Sequence, residues 1–133
     1  MKILFDSDVL FALYVPHDAN HIKSKRIFST LDLHSGDLFV SDHVIQETAT
    51  VLSRKVNQTI ALDFYYSFTK LNVNHIQSSP DVLNQAWQIF LDQTKKSTSF
   101  IDCLNVAIFQ EYQLDAIFSF DTFYPRLNLP ICQ

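Results

Sequence analysis

Short apolar runs alternate with longer stretches of helical spacing along the whole chain, and this alternation is the tightest constraint on the fold. KILF (Lys2 to Phe5) reads as a buried strand ending at Asp6. Leu38 to Val40, Val73 to Ile76 and Asp115 to Phe120 read as further strands, and Leu129 to Cys132 as a last edge strand. Between them the apolar positions recur with a helical period. Helices are expected from Asp8 to Val15, halted by Pro16, and from Asn20 to Leu33. Ser41 or Asp42 can cap a third running to about Arg54, and Asn57 a fourth running to about Lys70. Ser79 precedes Pro80, as cap and first helical residue of a fifth. Ser99-Phe100-Ile101-Asp102 opens a sixth in a capping-box-like pattern. Strands separated by helices predict an α/β fold: a parallel sheet of four or five strands with helices on both faces.

At 133 residues, with 47% hydrophobic residues, the chain suits one domain spanning 1–133 with a real core. Gly36 is its one glycine. Dinucleotide-binding and phosphate-cradling loops need several glycines for close backbone approach, so those classes are nearly excluded. The net charge of -4 argues against coating nucleic acid by bulk electrostatics. The first fifteen residues resemble a signal peptide until Asp6 and Asp8, which interrupt the apolar segment. No apolar run is long enough to span a bilayer, and Cys103 and Cys132 form no CxxC pair, so a cytoplasmic location is expected.

In a parallel sheet, ligands bind beyond the carboxyl ends of the strands. Asp6 and Asp121 each follow a strand in this reading. Glu47 lies at the margin of the apolar face of the third helix, and Asp102 is in the first turn of the sixth, in a polar row with Thr98, Ser99 and Asn105. Each acid alone has an ordinary structural explanation as a cap, a turn residue or a dipole partner. Together they would repel one another unless a hard divalent cation such as Mg²⁺ joined them. Such an ion activates water for attack on phosphorus.

These pieces, in this order and at this length, resemble a known family: ILFDSDVLFAL, SDHVIQETATVL, SFIDCLNVAIFQEYQLDAIFSFD and FYPRL. The chain resembles a PIN domain, and most the small VapC-type toxins of toxin–antitoxin pairs. The resemblance implies a Mg²⁺- or Mn²⁺-dependent endoribonuclease, a cognate antitoxin and a homodimer. It implies that Asp6, Glu47, Asp102 and Asp121 are the catalytic acids. Asp6, Asp102 and Asp121 would hold the metal directly or through water, and Glu47 would bind a second ion or orient the attacking water. Ser7 and Ser99 match small polar positions beside the acids, and Asp8 is expected to support them or cap the helix.

Two other functions compete. FDSDVL also resembles the nucleophile motif of haloacid dehalogenase-type phosphatases, with Asp6 attacking phosphorus, but Asp121 lacks the acidic neighbour that family needs. A PIN-like module that binds RNA or protein without cutting is the non-catalytic alternative. Arg54, Lys55, Lys95 and Lys96 are candidate RNA-phosphate contacts, although charges at helix ends are usually simply solvated. His17 and His21 have metal-clamp spacing but no further partner in the sequence, and His43, at the start of the Glu47 helix, reads as a surface residue. Cys103 adjoins Asp102 but faces the core on spacing.

Overall fold

A computed structural model describes all residues, Met1–Gln133. The chain order is β1 (Ile3–Phe5), α1 (Ser7–Tyr14), α2 (His21–Thr30), β2 (Leu38–Ser41), α3 (Asp42–Lys55), α4 (Gln58–Phe68), β3 (Asn74–Ile76), α5 (Pro80–Leu91), α6 (Phe100–Glu111), β4 (Ala116–Phe118) and α7 (Phe123–Arg126). The four strands form one parallel sheet in the order β3-β2-β1-β4.

The central strand β1 and its neighbour β4 are apolar on both sides because both faces are covered, whereas β3, at the edge, exposes Asn74 and His75. The register sets Ile3 beside Leu38 and Ala116, and Leu4 beside Phe39 and Ile117. Ile3, Phe5, Val40, Ala116 and Phe118 join a core layer completed by α1 to α4. Leu4 and Ile117 point the other way, into a second layer built with α5, α6 and α7. Thus the period-2 alternation of three short strands assigns the seven helices to two faces.

Four helices begin where the sequence places a cap. Ser41, Asn57, Ser79 and Ser99 each accept a hydrogen bond from a backbone N–H of the first turn. Three boundaries move. The strand expected over Asp115 to Phe120 ends at Phe118, so Asp121 does not follow a strand directly. The reason is a tertiary contact: the Phe120 N–H donates to Asp8 Oδ2 at 2.8 Å instead of to a neighbouring strand. The second helix stops at Thr30, short of Leu33. Ser29 and Thr30 hydroxyls there bond to the Arg26 and Ile27 carbonyls, and Leu31 turns extended. The expected last edge strand is reduced to a single bridge between Ile131 and Ile117. Pro130, which has no N–H, limits that ladder.

Parallel strands present all their carboxyl ends at one edge. At that edge α1 starts immediately after Asp6, α3 starts immediately after Ser41, and the β4–α7 segment turns back across the sheet. The acids of interest are carried on these segments and on the first turn of α6.

Candidate metal centre

Asp6 is the centre of the arrangement. It is only 3% exposed and caps α1 by accepting from the Ser7 N–H at 2.8 Å. The same oxygen, Oδ1, accepts from Asn105 Nδ2 at 3.2 Å. Oδ2 accepts from the Ser119 and Tyr124 hydroxyls, both at 2.9 Å. No cationic side chain is among these partners. Burial, followed by the charges of Asp8 and Asp102, pushes the Asp6 carboxyl up to about 7.

Asp102 is held one step away. Ser99 caps its helix, with the Asp102 N–H 3.4 Å from Ser99 Oγ. Its Oδ1 lies 3.3 Å from the Tyr124 hydroxyl, which therefore bridges Asp6 and Asp102. Burial is again the largest cause raising Asp102, also to about 7. The charge of Asp121 comes next, and Glu47 and Asp8 add to it. The phenol of Tyr124 is driven far above its ordinary range by burial and by Asp6 and Asp102, so it stays protonated, with one proton to give to either of them.

Asp8 is tied down by the β4–α7 segment. The Ser119 hydroxyl lies 3.2 Å from each of its oxygens, and the Phe120 N–H donates to Oδ2 at 2.8 Å. Its carboxyl is raised, chiefly by burial, and the Phe120 N–H works against the rise. Asp121 is half-buried; its Oδ1 accepts from the Phe123 N–H at 2.8 Å, and its own N–H donates to Ser119 Oγ at 3.0 Å. Glu47 is half-buried on α3, near enough to act on Asp102 through its charge.

The fold therefore brings Asp6, Asp8, Glu47, Asp102 and Asp121 into one electrostatic neighbourhood. As the side chains stand, no three His, Cys, Asp or Glu groups close on a common ion position. The Asp6 oxygens are turned towards hydrogen-bond donors and Asp121 Oδ1 into its own turn. The chemistry of the donor set nevertheless fits a hard divalent cation. The groups are carboxylates, their mutual repulsion has no countercharge, and the two ion pairs of the molecule, Met1–Asp37 and His34–Asp32, are elsewhere. Asn105 Oδ1, buried beside Asp6, also lacks a partner.

The supporting residues divide. Ser7 contributes its backbone N–H to Asp6, and Ser99 its cap to the Asp102 helix. Three polar side chains that bind the acids, Asn105, Ser119 and Tyr124, were not singled out from the sequence as site residues. The usable signals were Asn105 one helical turn after Asp102 and a serine inside an apolar run just before Asp121. The expected cation pairs are scattered. Lys55 shares a hollow with Ser7 and Asp8, whereas Arg54 lines a separate groove with Leu62 and Tyr65. Lys95 and Lys96 are exposed in the turn before α6. His17 and His21 form no metal clamp: His21 Nδ1 lies 2.7 Å from the Ala12 carbonyl oxygen, and His17 precedes the helix. His43 is half-buried with Nδ1 unpartnered, not a surface side chain. Cys103 is fully buried and its thiol is pushed up to about 11, chiefly by burial.

The PIN domain family model matches residues 3–128. The chain belongs to the PIN domain family. Among curated PIN relatives, a VapC ribonuclease of Archaeoglobus fulgidus is 29% identical over 133 residues, covering 98% of this chain and 81% of that protein. The 23S rRNA-specific endonuclease VapC20 of Mycobacterium tuberculosis is 26% identical over 121 residues, covering 90% and 88%. Among solved structures, that of M. tuberculosis VapC20, described as a Sarcin-Ricin loop cleaving toxin, superposes with a TM-score of 0.87 at 22% identity, over 96% of each chain. A toxin–antitoxin complex from Klebsiella pneumoniae gives 0.64 at 14% identity, over 92% of this chain and 88% of that one. These structures share the PIN fold with this chain.

Proposed function

We propose that this PIN-domain protein is a divalent-metal-dependent endoribonuclease, the toxin of a toxin–antitoxin pair. The observation that carries the reading is the pairing of Asp6 and Asp102 beneath Tyr124. Both carboxyls are raised to about 7 in a cluster without countercharge. The names of the curated relatives, a ribonuclease and an rRNA endonuclease, supply the substrate class.

Asp6, Asp102 and Asp121 would hold a Mg²⁺ or Mn²⁺ ion, directly or through water. Such an ion would offset the charge of the cluster and supply an activated water for attack on an RNA phosphorus. Glu47, on α3, would orient that water or hold a second ion. Ser119, Asn105 and Tyr124 fix the Asp6 carboxylate, and Asp8 anchors the segment that carries Asp121. A phosphatase mechanism with Asp6 as nucleophile is disfavoured, because Asp121 lacks the acidic neighbour that such a mechanism needs.

The same reading includes a cognate antitoxin, a homodimer and a cytoplasmic location. The Klebsiella neighbour is itself a toxin–antitoxin complex. No helix is long and apolar enough to cross a membrane. The test is RNA cleavage with Mg²⁺ or Mn²⁺, comparing wild type with Asp6→Asn after melting curves establish that both fold. Loss of at least ~100-fold is expected for the variant. Equal activity overturns the mechanism, and RNA binding without any metal-dependent cleavage favours the non-catalytic module.

A further inference from the structure

An RNA strand approaching this site meets an acidic cluster in a chain of net charge -4. Binding needs cations close to the acids, and α2 provides them. A groove of ≈570 Å³ is lined by Lys23 and Arg26 of α2 and by Ser119 and Phe120 of the segment after β4. Ser119 is the side chain that bonds both Asp6 and Asp8, so the groove borders the acid cluster. No acidic side chain lines it. Neither Lys23 nor Arg26 forms an ion pair, since both pairs of the molecule lie elsewhere. The Lys23 ammonium sits 5.1 Å from the centre of the Phe120 ring, which holds it in place without neutralising it. Asn20 lines this groove and also the ≈290 Å³ hollow that contains Ser7, Asp8 and Lys55. The two depressions thus share Asn20 as a lining residue, and the hollow also holds Asp8.

We propose that Lys23 and Arg26 form the phosphate subsite that seats single-stranded RNA beside the acid cluster. This rests on the ribonuclease reading and deepens it. The Arg26 fork matches two phosphate oxygens, and Lys23 adds a point charge. Such contacts position the strand and carry no sequence information. Lys95 and Lys96, equally exposed and equally charged, line neither depression.

The test compares Lys23→Gln/Arg26→Gln with the charge-matched Lys2→Gln/Lys70→Gln, two exposed lysines that line neither depression. Anisotropy of a short fluorescent single-stranded RNA is read in chelator, across a salt series. The first pair is expected to weaken binding roughly tenfold and to flatten the slope of log Kd against log salt by about 1.4, at ~0.7 per phosphate contact. The second pair is expected to stay near wild type. Equal weakening by both pairs, or none by the first, overturns the subsite. Cleavage kinetics on the same proteins separate the two readings. A higher KM with kcat kept within about twofold supports the subsite. Asp6-dependent cleavage without the binding contrast sinks the subsite alone. The binding contrast without any cleavage leaves the subsite standing and removes the ribonuclease reading.

Discussion

Tyr124 shows how much one hydroxyl can carry. It donates to Asp6, lies within reach of Asp102, and accepts from Asn105 at 3.0 Å, all in a fully buried position. Tyr124→Phe keeps the ring but leaves those polar groups short of a partner, which costs about 1–3 kcal/mol of stability. It also frees the Asp6 carboxylate to turn. A titration of cleavage against Mn²⁺ should show ~10–100-fold weaker metal dependence, as for other residues that orient metal ligands. The raised carboxyls make a second prediction. Folding lifts Asp6 and Asp102 from 3.8 to about 7, so between those values the folded chain binds more protons than the unfolded one. Their contribution to stability is full below the unfolded value and is lost as pH rises through about 7. In chelator, the melting temperature should therefore fall between about pH 4 and about pH 7 and level off above that. Adding Mn²⁺ should restore more at the higher pH, and Asp6→Asn should flatten the dependence. A profile that rises over this interval contradicts the placement of the acids.

At the scale of elements, the caps separate stability from function. Ser79 and Ser99 do the same local work, each accepting from a backbone N–H in the first turn of its helix. Alanine at either should cost about 1 kcal/mol in urea unfolding. Only Ser99→Ala should also lower cleavage, because its helix carries Asp102 in that turn. These caps were legible in the sequence because a cap is a local device: a short polar side chain, a free N–H and an apolar stripe beyond. The end of β4 was not legible. Phe118, Ser119 and Phe120 have strand propensity, yet the last two leave the ladder for Asp8, which is remote in sequence. Helix α7 was missed for a related reason: four residues with a proline inside show no periodicity to read.

For the whole molecule, the two core layers share the sheet and little else. Leu52 belongs to the layer under α3, Leu104 to the layer under α6, and both are fully buried. Each truncated to alanine should lose about 2–5 kcal/mol. Because they sit in separate clusters, the double variant should lose the sum to within about 0.5 kcal/mol, measured by urea denaturation. A large departure from additivity would mean that the sheet transmits repacking from one face to the other.

The sequence by itself determined the alternation of strands and helices, the parallel sheet and the caps, and it offered the four acids Asp6, Glu47, Asp102 and Asp121 as candidates. Each of these depends on residues near one another in the chain, or on an ordered set of motifs. Only the tertiary structure decided what surrounds the acids. Tyr124 reaches Asp6 across 118 positions and Ser119 across 113, and no local pattern encodes such a pairing. It also decided which cations neighbour the acids, because Lys23 and Arg26 share a groove with Ser119 and Phe120 only when α2 packs against the segment after β4. Charge is written in the sequence, but the distances that let charges raise one another's pKa or gather a cation exist only in the fold.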